Sequence, residues 1–479
     1  MTNRNGVTAL AALALLNVFT LGAGLAVAKM LPARLALWHV PRVATARVVL
    51  PGSVLIPDSA QGSAPSRRRL ATALTPLAAA PALGAHVGLV VTDLQSGSVL
   101  FSQQAGSGFE PASSAKLLTA VAALSTLGPS ARFTTRVVSG RTPGSVVLVG
   151  GGDPTLAAGP PPSSDYPQPA TLASLAGATA RWLHARGERR VRLAYDTALF
   201  TGPTTAPGWT ISYVSTGNVT PITSLEVDQG RLTPAGAPQD ADDPNNYRPR
   251  SLTPAADAAA AFARFLRRDG IRVPGQPHPG DRPRGGRVIA AVSSPMLSAI
   301  VGWMLRESNN VIAEDLARQV ALRTGRPATF AGAAGAVTAV LGRLGAGRGI
   351  QLVDGSGLSP LDRVTPQALA TVVRLAAWSG RPALRAVIAG MPVAGFSGTL
   401  APGQSVFGGS FGSAALGMVR AKTGNLNKVA SLAGITDDAS GHLLAFAFMA
   451  DQVPRASQLS AAARAIDAMA TALAGCGCR

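Results

Sequence analysis

The sequence predicts an α+β fold in which the first and the last strands of the folded region share one sheet. The predicted elements follow the order strands, helix, mixed middle part, helices, strands and helix, and this order is typical of such folds. Of 479 residues, 47% are hydrophobic and only 14% are charged, so the chain is globular and has enough apolar residues for a sizeable core. The length allows two or three domains, or one domain with a large insertion.

Hydrophobic periodicity and turn residues place each element in turn. Strands are predicted at 86–92 and 98–103 around a Gln95-Ser96-Gly97 turn, at 133–138, 146–149 and 190–195, and, near the end, at 429–435 and 443–449. Helices are predicted at 111–127, 171–186, 254–269, 296–322 (as one helix or two), 330–344, 366–379 and 457–474. The polar stretch 235–250 is predicted to be a long surface loop.

The N-terminal part predicts export from the cytoplasm. Residues 7–28 form an apolar run of 22 residues, which is long enough to span a bilayer. The run ends in Ala26-Val27-Ala28, which has the form of a signal cleavage site, so a membrane anchor and a cleaved signal both stay open for residues 1–30. Residues 31–77 are rich in Pro, Ser and Arg and are predicted to be a linker, with the folded part beginning near Leu77.

The net charge of +19 favours anionic partners, such as an acidic cell-wall polymer or a membrane surface. Nucleic acid is not expected, because no basic block is interleaved with aromatic residues and no nucleic-acid-binding signature is present. The five histidines lack metal-binding spacing, and both cysteines, Cys476 and Cys478, lie in the last four residues. We therefore expect no metal and no cofactor.

Two serine motifs were compared as sources of a nucleophile. Gly408-Gly409-Ser410-Phe411-Gly412 has the form GxSxG, but a nucleophile elbow needs a strand before the serine and a helix after it, and these surroundings indicate a loop. Ser113-Ser114-Ala115-Lys116 is an SxxK motif at the start of a predicted helix, so its serine and lysine share one face. A neutral lysine amine can accept the serine proton, whereas arginine cannot.

Two further motifs follow SxxK in the chain. Ser308-Asn309-Asn310 lies between two helical segments and offers a hydroxyl and an amide, although a helix cap is an equally good interpretation. Lys422-Thr423-Gly424 is predicted to lie on or beside a strand, where the glycine would let a ligand approach the backbone closely. Lys116 and Lys422 are two of only four lysines in a chain that otherwise uses arginine.

The ordered set SxxK, SxN and KTG resembles that of penicillin-binding proteins and serine β-lactamases. The chain is most similar to the D-alanyl-D-alanine carboxypeptidase/endopeptidase family, the low-molecular-mass class C penicillin-binding proteins. The stretches that carry this resemblance are 111–116 (PASSAK), 150–156 (GGGDPTL), 307–314 (ESNNVIAE), 354–358 (DGSGL), 391–400 (MPVAGFSGTL) and 422–434 (KTGNLNKVASLAG).

The resemblance implies a transpeptidase-like α+β fold, with an antiparallel sheet flanked by helices and a helical subdomain. It places a catalytic domain at 78–130 and 290–479 and an inserted domain at 131–289. The 195 positions between Ser113 and Ser308 agree with an insertion. Within it, Asp153 was considered either as a peptide contact or, more simply, as a turn cap before Pro154.

The resemblance also implies a role for each motif residue. Ser113 would be the acylated nucleophile and Lys116 its general base, while Ser308 would relay a proton and Asn310 would bind a substrate amide. Lys422 and Thr423, beside Gly424, would hold the terminal carboxylate, and the charge of Lys422 would lower the pKa of Lys116. The backbone N–H groups of Ser113 and Asn425 would form the oxyanion hole, with Asn425 standing where relatives often have Ser or Thr.

The implied function is a serine D-Ala-D-Ala carboxypeptidase/endopeptidase that acts outside the cytoplasm on peptidoglycan stem peptides and is acylated by β-lactams. Two alternatives stay open. The first is a β-lactamase or esterase on the same scaffold, although no residue could be assigned as a base for deacylation. The second is a catalytically idle protein that binds the cell wall through its basic surface.

Overall fold

A computed structural model describes residues 65–163, 166–232, 248–378 and 380–477. Its helices are α1 (Arg67–Ala78), α2 (Lys116–Leu127), α3 (Leu172–His184), α4 (Ser212–Ser215), α5 (Pro254–Arg268), α6 (Leu297–Arg306), α7 (Asn310–Arg323), α8 (Phe330–Arg343), α9 (Pro366–Trp378), α10 (Arg385–Gly390) and α11 (Leu459–Ala474). Its strands are β1 (Val87–Asp93), β2 (Val99–Gln103), β3 (Thr134–Ser139), β4 (Ser145–Val149), β5 (Arg192–Asp196), β6 (His278–Pro279), β7 (Val288–Ser293), β8 (Ile350–Gln351), β9 (Arg363–Val364), β10 (Arg420–Leu426), β11 (Val429–Asp437) and β12 (Leu443–Ala450).

The first sheet joins the two ends of the folded region, as predicted. Its order is β10-β11-β12-β1-β2, and every neighbouring pair is antiparallel. Strands β1, β11 and β12 are buried along almost their whole length, because helices cover both faces of this sheet. Helices α1 and α11 pack on one face around Phe446 and Phe448, and α9 packs on the other.

A layer of helices beside the first sheet carries two of the motifs. Helix α2, which follows Ser113, packs against α7, α8 and α9 and is buried from Lys116 to Leu124. Helix α7 begins at Asn310 and is separated from α6 by Glu307, Ser308 and Asn309, so the predicted helix 296–322 is two helices. The packing of α2 on α7 therefore brings the SxxK and SxN motifs together.

The second sheet has the order β6-β5-β4-β3-β7, and all its strands come from residues 134–293. Strands β4, β5 and β6 are parallel, while β3 is antiparallel to both its neighbours. Helices α3 and α5 cover one face, with Leu175 and Phe262 in the shared core. All of this sheet except residues 290–293 of β7 lies within the segment 131–289 that was predicted to be inserted, and the division into domains stays a prediction.

Two expectations about the elements were wrong. The folded part begins about ten residues before Leu77, because α1 forms at 67–78 and buries Leu70 and Leu74, four positions apart, in the core of the first sheet. Strand β7 was not predicted, since its sequence VIAAVS includes alanines, which are depleted in strands.

Several predicted features fall outside the described residues. These are the apolar run 7–28, most of the linker, most of the loop 235–250, and Cys478. Within the described ranges, every helix is too short or too polar to cross a bilayer.

Candidate active site

Ser113 lies in a tight turn that leads into α2. Residues Ala112–Ala115 form a 3₁₀ turn, and Ala112 has φ +47°, a left-handed conformation that is strained for a residue with a side chain. Ser113 is the only residue of the segment 111–120 that is not fully buried. The turn therefore exposes the Ser113 hydroxyl while the rest of the segment is packed in the core.

The Lys116 side chain is fully buried and makes three hydrogen bonds. Its Nζ lies 2.8 Å from Ser113 Oγ, 2.6 Å from Asn310 Oδ1 and 2.9 Å from the carbonyl oxygen of Ser356. The last two partners are acceptors only. A neutral amine has two N–H donors and one lone pair, so donation to Asn310 and Ser356 leaves the lone pair for the Ser113 hydroxyl proton.

The protonation state of Lys116 fits this arrangement. Burial lowers the pKa of Lys116 to about 7, although the carboxylates of Asp354, Glu314 and Asp362 act in the opposite direction. The neutral amine is therefore well populated near neutral pH, whereas a lysine of ordinary pKa would be almost entirely protonated.

The orientation of Asn310 is fixed from the other side of its amide. Asn310 Nδ2 donates to the carbonyl oxygen of Asn218 (2.9 Å), so its Oδ1 faces Lys116. Asn309 caps helix α7 by accepting from the N–H of Ile312 (3.1 Å), which confirms the cap interpretation for this residue of the motif. Asn309 Nδ2 also donates to Gln229 Oε1 (2.7 Å).

Ser308 lies in the turn between α6 and α7 with φ +57°. Its hydroxyl forms no hydrogen bond with the described residues, so its predicted role as a proton relay stays a prediction. Like Ala112, it occupies a left-handed conformation, which costs about 1–3 kcal/mol for a residue with a side chain.

A buried loop, residues 354–357, supplies the third partner of Lys116. Glu314 on α7 accepts from the N–H groups of Gly355 (3.0 Å) and Ser356 (2.8 Å). Asp354 accepts from the N–H groups of Ser356 (3.1 Å) and Gly357 (2.6 Å), and from Trp209 Nε1 (2.8 Å). These carboxylates hold the loop so that the Ser356 carbonyl points at Lys116.

Strand β10 brings the KTG motif against the Ser113 turn. A Cβ atom on Gly424 would lie 2.6 Å from the Pro111 carbonyl oxygen and 3.0 Å from the Ser114 nitrogen. We expected this glycine to make room for a ligand; instead it makes room for the protein's own backbone. Asn425, the next residue, is exposed, and the oxyanion hole assigned to its N–H stays a prediction.

Lys422 and Thr423 are buried on the same strand. Lys422 Nζ donates to the Thr423 carbonyl oxygen (2.8 Å), and Thr423 Oγ1 lies 2.8 Å from Thr399 Oγ1. Burial and the nearby charge of Lys116 lower the pKa of Lys422 well below its usual range. Lys422 was expected to lower the pKa of Lys116, but the cause that lowers this pKa is burial, and the charges that act on Lys116 are those of Asp354, Glu314 and Asp362.

Four residues of the site were missed as functional residues. Glu314 and Asp354 lie in two of the stretches that carry the family resemblance, and this position was the sequence feature that could have marked them as functional. Asn218 and Trp209 had none, because Asn218 contributes only a backbone oxygen and Trp209 is an isolated aromatic residue in an unremarkable segment.

Two other sequence hypotheses are decided by the structure. The GxSxG segment 408–412 lies in an irregular loop before β10, so Ser410 is not on a nucleophile elbow. Asp153 Oδ1 accepts from the N–H (2.9 Å) and hydroxyl of Thr155, so this residue caps a turn, as expected.

Comparisons with known proteins show the family of the chain. A family model described as the D-Ala-D-Ala carboxypeptidase 3 (S13) family matches residues 70–249 and 235–473. The chain is 40% identical over 427 residues to Carboxypeptidase DacB of Mycolicibacterium smegmatis, covering 88% of each chain.

Solved structures confirm the predicted fold class. The crystal structure of penicillin binding protein 4 (dacB) from Haemophilus influenzae aligns with a TM-score of 0.66 at 22% identity, covering 84% of this chain and 98% of that one. A complex of that protein with a novel β-lactam aligns with a TM-score of 0.61 at 23% identity, covering 82% and 98%. The chain therefore belongs to the D-Ala-D-Ala carboxypeptidase 3 (S13) family of serine peptidases, as the order of its motifs predicted.

Proposed function

We propose that Ser113 is the acylated nucleophile of this carboxypeptidase, that Lys116 is its general base, and that the substrate is the D-alanyl-D-alanine end of a peptidoglycan stem peptide. The observation that carries the proposal is the set of contacts around Lys116. Asn310 and Ser356 take up its two N–H donors, and its lone pair faces Ser113 Oγ at 2.8 Å.

The reaction follows from this arrangement. As Ser113 Oγ forms a bond to the carbonyl carbon of the penultimate D-alanine, its proton passes to Lys116 Nζ. The C–N bond then breaks, the leaving D-alanine amine takes the proton back from Lys116, and an ester remains on Ser113. Water attacks the ester and gives its proton to the again neutral Lys116, which returns it to Ser113 Oγ.

Lys422 and Thr423 are proposed to bind the terminal carboxylate of the substrate. Both are buried on β10, which lies directly against the Ser113 turn. A buried ammonium without a close carboxylate gains most from an incoming anion, since that anion replaces the water it has lost. The hydroxyl pair of Thr423 and Thr399, 2.8 Å apart, adds a polar group beside Lys422.

Peptidoglycan lies outside the cytoplasmic membrane, so a family of enzymes that cleave it acts outside the cytoplasm. For this chain we further propose that β-lactams acylate Ser113 and that residues 131–289 form an inserted domain. Ser308 is retained as a proposed proton relay beside Asn310.

Acylation with labelled penicillin tests the assignment. The wild type should be labelled on the peptide that contains Ser113, and Ser113→Ala should not be labelled. Ser410→Ala is the matched control, because it removes the serine of the other motif and should keep the label. Labelling of Ser113→Ala at the wild-type rate would refute the proposal.

Product analysis tests the substrate. A stem peptide ending in D-Ala-D-Ala should release free D-alanine with the wild type and not with Ser113→Ala, while the same peptide ending in L-alanine should not react. Cross-linked stem peptides, incubated in parallel, measure the endopeptidase activity. Release of alanine by Ser113→Ala, or from the L-alanine peptide, would contradict the assignment.

A further inference from the structure

An arginine-lined cavity lies on the second sheet, apart from the residues of the catalytic motifs. Its volume is about 330 Å³, and it is lined by Arg136 and Val138 of β3, Val288 of β7, and the loop 282–286. Val137 belongs to the core shared with α3 and α5. Because side chains alternate along a strand, Arg136 and Val138 lie on the opposite face of the sheet, the one that the loop crosses.

The charges of this cavity are almost all positive. Three arginines, Arg136, Arg282 and Arg284, line it, and no carboxylate does. Asp196 forms the one ion pair with a lining arginine in the part of the chain that the structure describes: its Oδ2 lies 4.0 Å from Arg282 Nε and already accepts from the backbone N–H of Arg282 (3.1 Å). Within the described ranges, Arg136 and Arg284 form no ion pair.

Arg136 also has a buried donor that is not satisfied. Its Nε is shielded from solvent and has no hydrogen-bond partner among the described residues. Because this Nε is closed off from solvent, a ligand in the cavity cannot reach it, and Arg136 would meet an anion through the rest of its guanidinium group. The two other guanidiniums lie on the loop, where Arg284 is exposed and Arg282 is about half exposed.

The loop that carries these arginines is held at both ends. The N–H of Gly280 donates to the Tyr195 carbonyl (2.9 Å), and the N–H of Arg287 donates to Ser139 Oγ (3.0 Å). Between them, the N–H of Gly286 closes a turn onto the Pro283 carbonyl (3.1 Å). The cavity is therefore formed by ordered backbone on both sides, so binding requires little ordering of the chain.

We propose that this cavity binds the phosphate groups of an anionic cell-wall polymer. Guanidinium groups present two parallel N–H donors that fit the oxygens of a phosphate, so three arginines around one cavity suit this ligand. The apolar part of the lining is limited to two valines and a proline, too little to enter a bilayer, so a polymer is favoured over a membrane. This proposal depends on the proposed function in one respect: an enzyme that acts on peptidoglycan lies close to the polymers of the cell wall.

Binding of the full chain to purified sacculi tests the proposal. Three preparations are compared: sacculi that carry phosphate-containing polymer, the same sacculi after the polymer has been removed by acid, and vesicles that contain anionic phospholipid. Two cavity variants are compared. The double variant combines Arg136→Gln with Arg284→Gln, and the single variant, Arg284→Gln, changes only an exposed loop residue. Arg343→Gln with Arg348→Gln is the control, because it removes the same charge from two exposed positions outside the cavity.

We expect the double cavity variant to bind polymer-bearing sacculi about tenfold more weakly than the control, and Arg284→Gln about threefold more weakly. Stripped sacculi should bind all variants weakly. Inorganic phosphate should compete for the wild type and for the control, which both keep the cavity, more strongly than for the double cavity variant. Penicillin labelling should be equal in all variants, which separates this proposal from that on Ser113. Equal binding by cavity variants and control, undiminished binding to stripped sacculi, or a cavity-dependent preference for vesicles would each overturn it.

Discussion

Replacement of Glu314 by glutamine is expected to move the acid limb of Ser113 acylation to lower pH. Glu314 accepts from the Ser356 N–H (2.8 Å), and the Ser356 carbonyl accepts from Lys116 Nζ (2.9 Å), so one residue separates the carboxylate from the amine that must be neutral. The negative charge of Glu314 stabilises protonated Lys116 and raises its pKa. Glutamine keeps an acceptor oxygen for the loop and removes the charge.

The size of the effect follows from Coulomb's law. Two hydrogen bonds and one residue separate the Glu314 carboxylate from the Lys116 ammonium, so the two charges are about 7 Å apart. At an effective dielectric constant of about 20, two unit charges at this distance attract each other by about 2.4 kcal/mol. This energy corresponds to a shift of about 1.7 units in the pKa of Lys116. Burial raises the pKa of Glu314 itself to about 7, so this carboxylate is only partly ionised where Lys116 titrates. We therefore expect the acid limb, near pH 7 in the wild type, to fall by about one pH unit.

The assay is the second-order rate constant for acylation by labelled penicillin between pH 5 and pH 9. Glu314→Gln should react about fivefold faster than the wild type at pH 6 and at the same rate above pH 8, because the fraction of neutral Lys116 changes only below the plateau. Asp315→Asn is the matched control, because Asp315 is the next residue and equally buried but is not among the carboxylates that raise the pKa of Lys116. An acid limb that stays in place, or moves to higher pH, would refute the reasoning.

Two further substitutions test the packing around the site. Gly424→Ala would place a Cβ 2.6 Å from the Pro111 carbonyl and should slow acylation at least a hundredfold. Gly409→Ala is a control for expression, because an added Cβ there meets no atom within 4 Å and the backbone is not left-handed. Burial raises the pKa of Asp467 in the folded protein to about 7. At a pH above the pKa of an unfolded aspartate, the unfolded chain therefore ionises more readily than the folded protein, and this carboxyl group lowers the stability of the fold. Asp467→Asn should leave stability unchanged at pH 4 and raise it by up to about 4 kcal/mol at pH 8, measured by denaturant unfolding; an equal gain at both pH values would point to packing instead.

The sequence predicted the parts of the fold that depend on local pattern. Apolar runs and turn residues located β1, β2, β11 and β12, and the SxxK spacing predicted that Ser113 and Lys116 share one face. These predictions succeeded because they depend on short stretches of chain: an apolar strand, a capped helix, or a serine and a lysine three positions apart.

The contacts that tune the site are long-range, and local pattern carries no information about them. Asn310 is held by the Asn218 carbonyl, 92 positions earlier in the chain, and this contact uses a backbone atom that any residue could supply. Trp209 reaches Asp354 across 145 positions. The helix α1 was missed for a related reason, since two leucines in an arginine- and proline-bearing stretch become a helix only when the sheet is there to bury them.

The two lysines of the site have the same side chain and opposite surroundings. Lys116 lies among three carboxylates and is held by two fixed acceptors, so its pKa stays near 7 despite complete burial, and its lone pair has a defined direction toward Ser113. Lys422 Nζ has only Thr423 oxygens as partners, and Glu307 alone opposes the burial and the charge of Lys116 that lower the pKa of Lys422 well below its usual range. A base needs a pKa near the working pH, whereas a carboxylate-binding group needs an unmet demand for negative charge. The protein therefore obtains both functions from one residue type by placing carboxylates around the first lysine and withholding them from the second.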